Sequence, residues 1–139
     1  GIIVPYIIDQ DLVSVFIHSY VEKAGEKTDR IDILIPGSRT PTMILGNRFD
    51  RVIILRDLLD GLYLHQESRE AAGIIVHPDT GIHPSQPALE MVRSARDAVL
   101  CLQAASPGEN PLRSRFKDAG RIRICKYEKQ GDLVGLFSG

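Results

Sequence analysis

Hydrophobic positions along the chain fall into two patterns, short continuous apolar runs and longer stretches in which apolar residues recur every three or four positions. Continuous runs are typical of buried strands, and the spaced pattern is typical of amphipathic helices. Pro5 marks the first run as an edge strand or a broken one, because proline has no N–H for a ladder. The predicted strands are Ile2–Ile8, Arg30–Ile35, Thr42–Leu45, Arg51–Leu55 and Gly73–Val76.

Three helices are predicted from the spacing of apolar residues. The first carries Val13, Phe16, Ile17, Tyr20 and Ala24, with Gly25 as its C-terminal cap. The second follows the strand Arg51–Leu55 and carries Leu58, Leu59, Leu62 and Gln66, with Gly61 weakening it. The third is a long helix from Pro87 that carries Leu89, Val92, Ala95, Val99 and Leu102, with Ser85 as its N-cap.

The end of the chain is predicted to form a hairpin of two strands around residues 130–132. Strands that alternate with helices indicate an α/β layered fold with a mostly parallel central sheet, flanking helices and this C-terminal antiparallel hairpin. A hairpin between Thr42–Leu45 and Arg51–Leu55, turning at Gly46-Asn47, would instead favour an α+β fold.

Composition narrows the class of protein. With 139 residues, 43% hydrophobic and 25% charged, the chain is predicted to be a single α/β domain spanning 1–139, excised from a longer chain because it begins with Gly1 and both ends are apolar. No apolar run reaches the length of a membrane span, which predicts no membrane partner. Cys101 and Cys125 lack C-x-x-C spacing and are predicted to be reduced thiols of a cytoplasmic protein.

Polar residues follow each predicted strand, which is where open α/β sheets bind ligands. The stretch "PGSRTPT" is the best candidate for binding an anion, because Gly37 allows close backbone approach, Ser38 and Thr40 offer hydroxyls, and Arg39 offers a guanidinium. Asp57 and His83 complete the predicted ligand-binding set. The expected ligand is a phosphorylated or nucleotide-like small molecule, and the cofactor is unknown.

The stretch "GIIVHPDTGIHPSQ" places two histidines and an aspartate directly after a strand. His77 and Asp79 are predicted as catalytic acid–base groups if chemistry follows binding, since histidine titrates near neutral pH. No metal is predicted, because the five residues between the histidines include a proline and a glycine and no His-Glu-x-x-His pattern occurs. Whether the chain is an enzyme stays open.

Gly37–Thr40 and His77–Asp79 are predicted to lie across one cleft. Both segments are expected to follow parallel strands of one sheet and therefore to open at the same edge. With one strand between them, the two loops would lie about 10 Å apart, a gap that a phosphate-bearing ligand could span.

An alternative is a non-catalytic interaction module that binds nucleic acid or an acidic protein. Residues 113–129 hold seven basic and two acidic side chains in a chain of net charge −1. The residues predicted to bind are Arg113, Arg115, Arg121, Arg123 and Tyr127. A third possibility is an assembly domain that forms a homo-oligomer, or docks on other domains of a longer chain, through edge strands.

Overall fold

A computed structural model describes residues 2–23, 26–46, 50–68, 71–78, 81–104 and 111–137, of which 19–23, 26–33 and 136–137 are described by their backbone alone. The strands are β1 (Ile2–Ile8), β2 (Asp11–Lys23), β3 (Glu26–Leu34), β4 (Met43–Leu45), β5 (Arg51–Leu55), β6 (Gly73–Val76), β7 (Asp97–Gln103) and β8 (Arg123–Tyr127). The helices are α1 (Leu58–Ser68), α2 (Gln86–Ser94) and α3 (Pro111–Phe116), and 3-10 turns span Lys117–Ala119 and Gln130–Phe137.

The predicted α/β layered fold is confirmed. A five-stranded sheet has the order β4-β6-β5-β7-β8, in which β6, β5, β7 and β8 are parallel and only β4 is antiparallel. A separate antiparallel sheet has the order β1-β2-β3. β5 and β6 are buried along almost their whole length, as expected for parallel strands that are covered on both faces.

The two faces of the large sheet are covered by different elements. Leu58 and Leu64 of α1 pack in one cluster with Ile53 and Leu55, together with Phe16 of the small sheet, and this side is called the α1 face. Helices α2 and α3 pack in a second cluster with Val52, Ile54 and Leu100 of the opposite side, called the α2 face. The crossover from β5 to β6 therefore runs over one face and that from β6 to β7 over the other.

Residues 11–23 form strand β2, so the predicted first helix is wrong. The apolar residues of this segment fit the helical spacing of three to four residues and also the strand spacing of two. Val13, Val15 and Ile17 show the alternation that a strand requires. Asp9 and Gln10 both have positive φ, 49° and 70°, which is the two-residue turn that joins hairpin strands with the correct twist. The turn sets the register in which Ile8 faces Asp11.

The other departures lie in the second half of the chain. α2 ends at Ser94, and the rest of the predicted long helix is the buried parallel strand β7, a continuous apolar run that helical spacing also fits. The predicted C-terminal hairpin is also wrong, because β8 lies parallel to β7 and a 3-10 turn follows it. β4 pairs with β6 and not with β5, and Asn47 of the predicted turn lies outside the described residues.

Two devices protect the free strand edges near the small sheet. Val15, which faces Pro5, directs its N–H to Ser38 and its C=O to Ile35, both toward β3, so the backbone of Pro5 faces the free edge of β1. Proline there removes an N–H that another strand could use. On β4, the Tyr6 hydroxyl donates to the Ile44 carbonyl at 3.1 Å and accepts from the Ile44 N–H at 3.0 Å.

Gly61 lets α1 lie close against β6, since a Cβ at this position would collide with the Cγ2 of Val76. We predict that Gly61→Ala destabilises the fold by roughly 1–3 kcal/mol through overpacking, although alanine favours a helix over glycine. Urea unfolding measures the change. Gly131→Ala is the matched control, because open space surrounds that position. An unchanged or increased stability of Gly61→Ala would contradict the close packing.

Candidate functional site

The carboxyl edge of the parallel sheet contains a topological switch point between β5 and β7. The chain leaves β5 over the α1 face and returns to β7 from the α2 face. Connections that depart on opposite faces leave a crevice outside the carboxyl ends of the two central strands, where doubly wound sheets bind their ligands. Arg56 and Asp57 follow β5 at this edge, and Ala104 is the last described residue after β7.

Arg56 is exposed at the mouth of the crevice and has no hydrogen bond or ion pair within the described part of the chain. Strand pairing continues past Leu55, whose carbonyl accepts from the His77 N–H at 2.9 Å. Extending the register of β5 and β6 by one residue places Arg56 beside His77, on the side of the sheet that α2 and α3 cover. The guanidinium at the end of the central strand is therefore exposed and makes no bond to any described residue.

Asp57 caps the helix that leaves the crevice. Its Oδ1 accepts from the Asp60 N–H at 2.9 Å, and the residue is 7% exposed. This contact explains why α1 begins at Leu58, since a carboxylate at this position satisfies one of the unpaired N–H groups of the first turn. The predicted ligand residue Asp57 thus lies at the crevice, with one carboxylate oxygen used by the helix.

His77 is completely buried and bonded at both ring nitrogens. Because a carbonyl only accepts, Nε2 carries the hydrogen that is donated to the Ile82 carbonyl at 2.7 Å. Nδ1 lies 3.1 Å from Thr42 Oγ1, which in turn accepts from the Ser85 N–H at 3.0 Å. The ring of Phe116 meets the imidazole edge-on, with centroids 6.1 Å apart. His77 therefore holds the loop between β6 and α2 in place.

The cleft predicted between Gly37–Thr40 and His77–Asp79 stays a prediction. The premise was wrong, because β3 belongs to the antiparallel sheet and is not a parallel neighbour of β6. The chain after Thr40 nevertheless runs to the carboxyl edge, where Thr42 precedes β4 and meets His77. Asp79, predicted as the second catalytic group, lies outside the described residues.

The loop with the predicted anion-binding residues packs mainly on β2. Ser38 Oγ accepts from the Val15 N–H at 3.0 Å, and the Thr40 N–H donates to Ser14 Oγ at 3.0 Å. Arg39 is exposed, and its Nη2 donates to the Leu12 carbonyl at 3.1 Å. A groove beside Gly37 and Ser38 has a volume of about 200 Å³, which is below the range of pockets that hold nucleotide-sized ligands.

The other predicted residues of the β6–α2 loop include His83, which is exposed. Ser85 caps α2 as predicted, accepting from the Ala88 N–H at 3.4 Å. Within the described ranges, no group of three or more His, Cys, Asp or Glu side chains converges as a metal site would require. No helix among the described residues is long and apolar enough to cross a membrane.

The basic segment is divided between exposed and engaged side chains. Arg113 and Arg121 are exposed. Arg123 forms two hydrogen bonds of 2.9 Å to the carboxylate of Asp97, and these hold the pKa of Asp97 below its usual range. Arg115 donates to the Gly81 carbonyl at 2.9 Å, tying α3 to the β6–α2 loop. Two of the four arginines predicted to bind nucleic acid thus already have partners in the fold.

Tyr127 lies in the core of the α1 face, not on a basic surface. Its hydroxyl donates to Asp60 Oδ2 at 2.6 Å, and Gln130 Nε2 donates to Asp60 Oδ1 at 3.1 Å. Asp60 is 2% exposed and Tyr127 5% exposed. No sequence motif indicates this network, because an acidic residue such as Asp60 is common in the first turn of a helix. The network ties the end of β8 to α1 beneath the crevice.

Comparison with known protein families, with curated proteins and with solved structures finds no match to this chain.

Replacing Thr42 by valine removes the hydroxyl that bridges Ser85 and His77. We predict that Thr42→Val lowers the free energy of unfolding by about 1–3 kcal/mol, because the Ser85 N–H and the buried His77 Nδ1 both lose their hydrogen-bond partner. Thr42→Ser, which keeps the hydroxyl, is the matched control and should lose less. Chemical denaturation of both variants measures the difference. A loss in Thr42→Val no larger than that in Thr42→Ser would contradict the role assigned to the hydroxyl.

The bond between Tyr127 and Asp60 predicts a pH dependence of stability. Burial, and then the hydrogen bond to Asp60, raise the pKa of Tyr127. A raised folded-state pKa gives stability that is complete below the unfolded value near 10 and is lost as the pH rises above it. The free energy of unfolding of the native chain should therefore fall above about pH 10, by up to about 1.4 kcal/mol per pH unit more than that of Tyr127→Phe. Parallel curves for the two proteins would contradict this.

Proposed function

We propose that this protein binds a phosphorylated or nucleotide-like small molecule at the carboxyl edge of the parallel sheet, in the crevice between β5 and β7. The observation that carries the proposal is the exposed guanidinium of Arg56 at the switch point, which has no partner among the residues that the structure describes. An arginine offers a planar fork of donors that matches the oxygens of a phosphate.

The helix termini around the crevice support the same charge preference. α1 begins directly after Asp57, and α2 begins at the same edge after Ser85. The positive end of a helix dipole favours an anion placed near its first turn. Asp57 already occupies the Asp60 N–H, so Arg56 is the group that would supply most of the attraction.

The loop Gly37–Thr40 would form one wall of the site, with Arg39 reaching the ligand in exchange for its contact with the Leu12 carbonyl. Ser38 and Thr40 would act through the backbone and hydroxyl contacts that fix this loop on β2. On the opposite lip, His77 would position the β6–α2 loop, which carries the exposed His83. Proton transfer by His77 and Asp79 stays a prediction.

The compartment and the partners belong to the same proposal. We infer a cytoplasmic location, which two free thiols support, since reduced cysteines are usual there. Self-association, or docking to other domains of a longer chain, would use an edge strand other than the centre of β1, because Pro5 faces that edge. Binding of nucleic acid or an acidic protein would use Arg113 and Arg121, without the stacking that Tyr127 was expected to provide.

Removing the charge of Arg56 tests the proposal. We expect Arg56→Gln to weaken binding of phosphorylated ligands roughly 10–100-fold, the usual value of hydrogen bonds to a charged group. Isothermal titration would use inorganic phosphate, ribose 5-phosphate, and adenosine mono-, di- and triphosphate against the native chain and the variant.

Arg93→Gln is the matched control. Arg93 is exposed in the last turn of α2, at the opposite edge of the sheet, and has no partner in the described part of the chain. The same loss in both variants would show only a general effect of net charge. No binding of any ligand at millimolar concentration would reject the proposed function. Arg39→Gln in the same series decides whether the Gly37–Thr40 loop contributes.

A further inference from the structure

The two cysteines of the chain face each other across neighbouring strands. Cys101 of β7 and Cys125 of β8 are direct partners in the parallel register. Both pack with the hydrophobic cluster of the α1 face, so their side chains lie on the same side of the sheet. Two cysteines far apart in sequence are thus held side by side by strand pairing and not by a local motif.

The thiols interact and differ in access. Burial, and then the charge of the neighbouring Cys125 thiol and a hydrogen bond with it, raise the pKa of the Cys101 thiol to about 12. Cys101 is 2% exposed, whereas Cys125 is half-buried on the edge strand of the sheet. An oxidant in solution therefore reaches Cys125 before it reaches the neighbouring Cys101.

We propose that Cys101 and Cys125 form a reversible intramolecular disulfide when the protein meets a peroxide. The Cys125 thiolate attacks one oxygen of hydrogen peroxide, the O–O bond breaks, and Cys125 becomes a sulfenic acid while hydroxide leaves. The Cys101 sulfur then attacks the Cys125 sulfur, and the S–O bond breaks as the S–S bond forms. The released hydroxides take up the two thiol protons, so two thiols and one peroxide give one disulfide and two waters.

The strand geometry permits this bond and makes it reducible. Neighbouring strands lie about 4.8 Å apart, inside the Cα separation of about 4.4–6.8 Å that disulfides span. The Cβ atoms of directly paired residues must still move together, which stores strain, and strained disulfides are the ones that thiols reduce readily. The bond would fasten β8 to β7 two residues before Tyr127, whose hydroxyl contacts Asp60 under the crevice.

Peptide mapping of the intact chain tests the inference. After brief exposure to hydrogen peroxide and alkylation of the remaining thiols, we expect an intact mass lower by two hydrogens. Tryptic digestion without reductant should then give peptide 97–113 linked to peptide 124–126. Dithiothreitol should reverse both changes, and formation should be faster as the pH rises toward the Cys101 pKa.

Single variants distinguish the disulfide from other oxidation. Cys101→Ser should leave Cys125 as a sulfenic acid that reacts with dimedone, without the linked peptides. Cys125→Ser should leave Cys101 unmodified under the same exposure, because that thiol is buried. Sulfinic or sulfonic acid on Cys125 of the native chain without linked peptides would overturn the inference. A disulfide that forms only in urea, or only between two separate chains, would overturn the inference as well. Phosphate-ligand binding plays no part in this test.

Discussion

The need to cover both faces of β5 and β6 determines the architecture around the candidate site. Each strand is buried on both sides, so the sheet cannot leave either face to water. α1 and the small antiparallel sheet cover one face, and α2 and α3 cover the other. The crossovers before and after β6 therefore run over opposite faces, which places the topological switch point of the sheet at the carboxyl ends of β5 and β7. Arg56 stands there because it is the first residue beyond the buried run.

Buried hydrogen bonds, and not the composition of the loops, hold the carboxyl edge of the five-stranded sheet in a defined shape. On the α2 face, Thr42 connects His77 to the start of α2 through Ser85. On the α1 face, Tyr127 connects β8 to Asp60 in the first turn of α1. Both links join segments that are more than thirty residues apart in sequence. A buried polar group that lacks its partner is costly, so each link selects one arrangement of the segments it joins.

The sequence was sufficient to predict those strands and helices whose apolar residues fit only one spacing, that of a strand or that of a helix. β5 and β6 are short runs rich in β-branched residues, and α2 begins where Ser85 and Pro87 predict. β2 and β7 were not predictable from the sequence, because their apolar residues also satisfy helical spacing. Only pairing with distant strands decides between a strand and a helix at these positions. The pairing partner of β8 is likewise a property of the whole sheet.

The candidate site shows the same limit. Polar strand ends pointed to the carboxyl edge, and the structure puts Asp57 and His77 there. The sequence could not show that His77 is buried and bonded at both nitrogens, or that Tyr127 turns inward to Asp60. These contacts depend on which face of a strand packs inward, and that follows from sheet order. Local pattern carries no information on sheet order.

The most direct test of the account is an NMR titration of the isotope-labelled chain with adenosine diphosphate and, separately, ribose 5-phosphate. Binding at the switch point predicts that the amide shifts concentrate at Arg56, at the first turn of α1 and at Ala104, with smaller changes along the β6–α2 loop. Shifts confined to the basic segment 113–129 or to the opposite edge around Asp50 and Arg96 would contradict it. So would spectra that neither ligand changes.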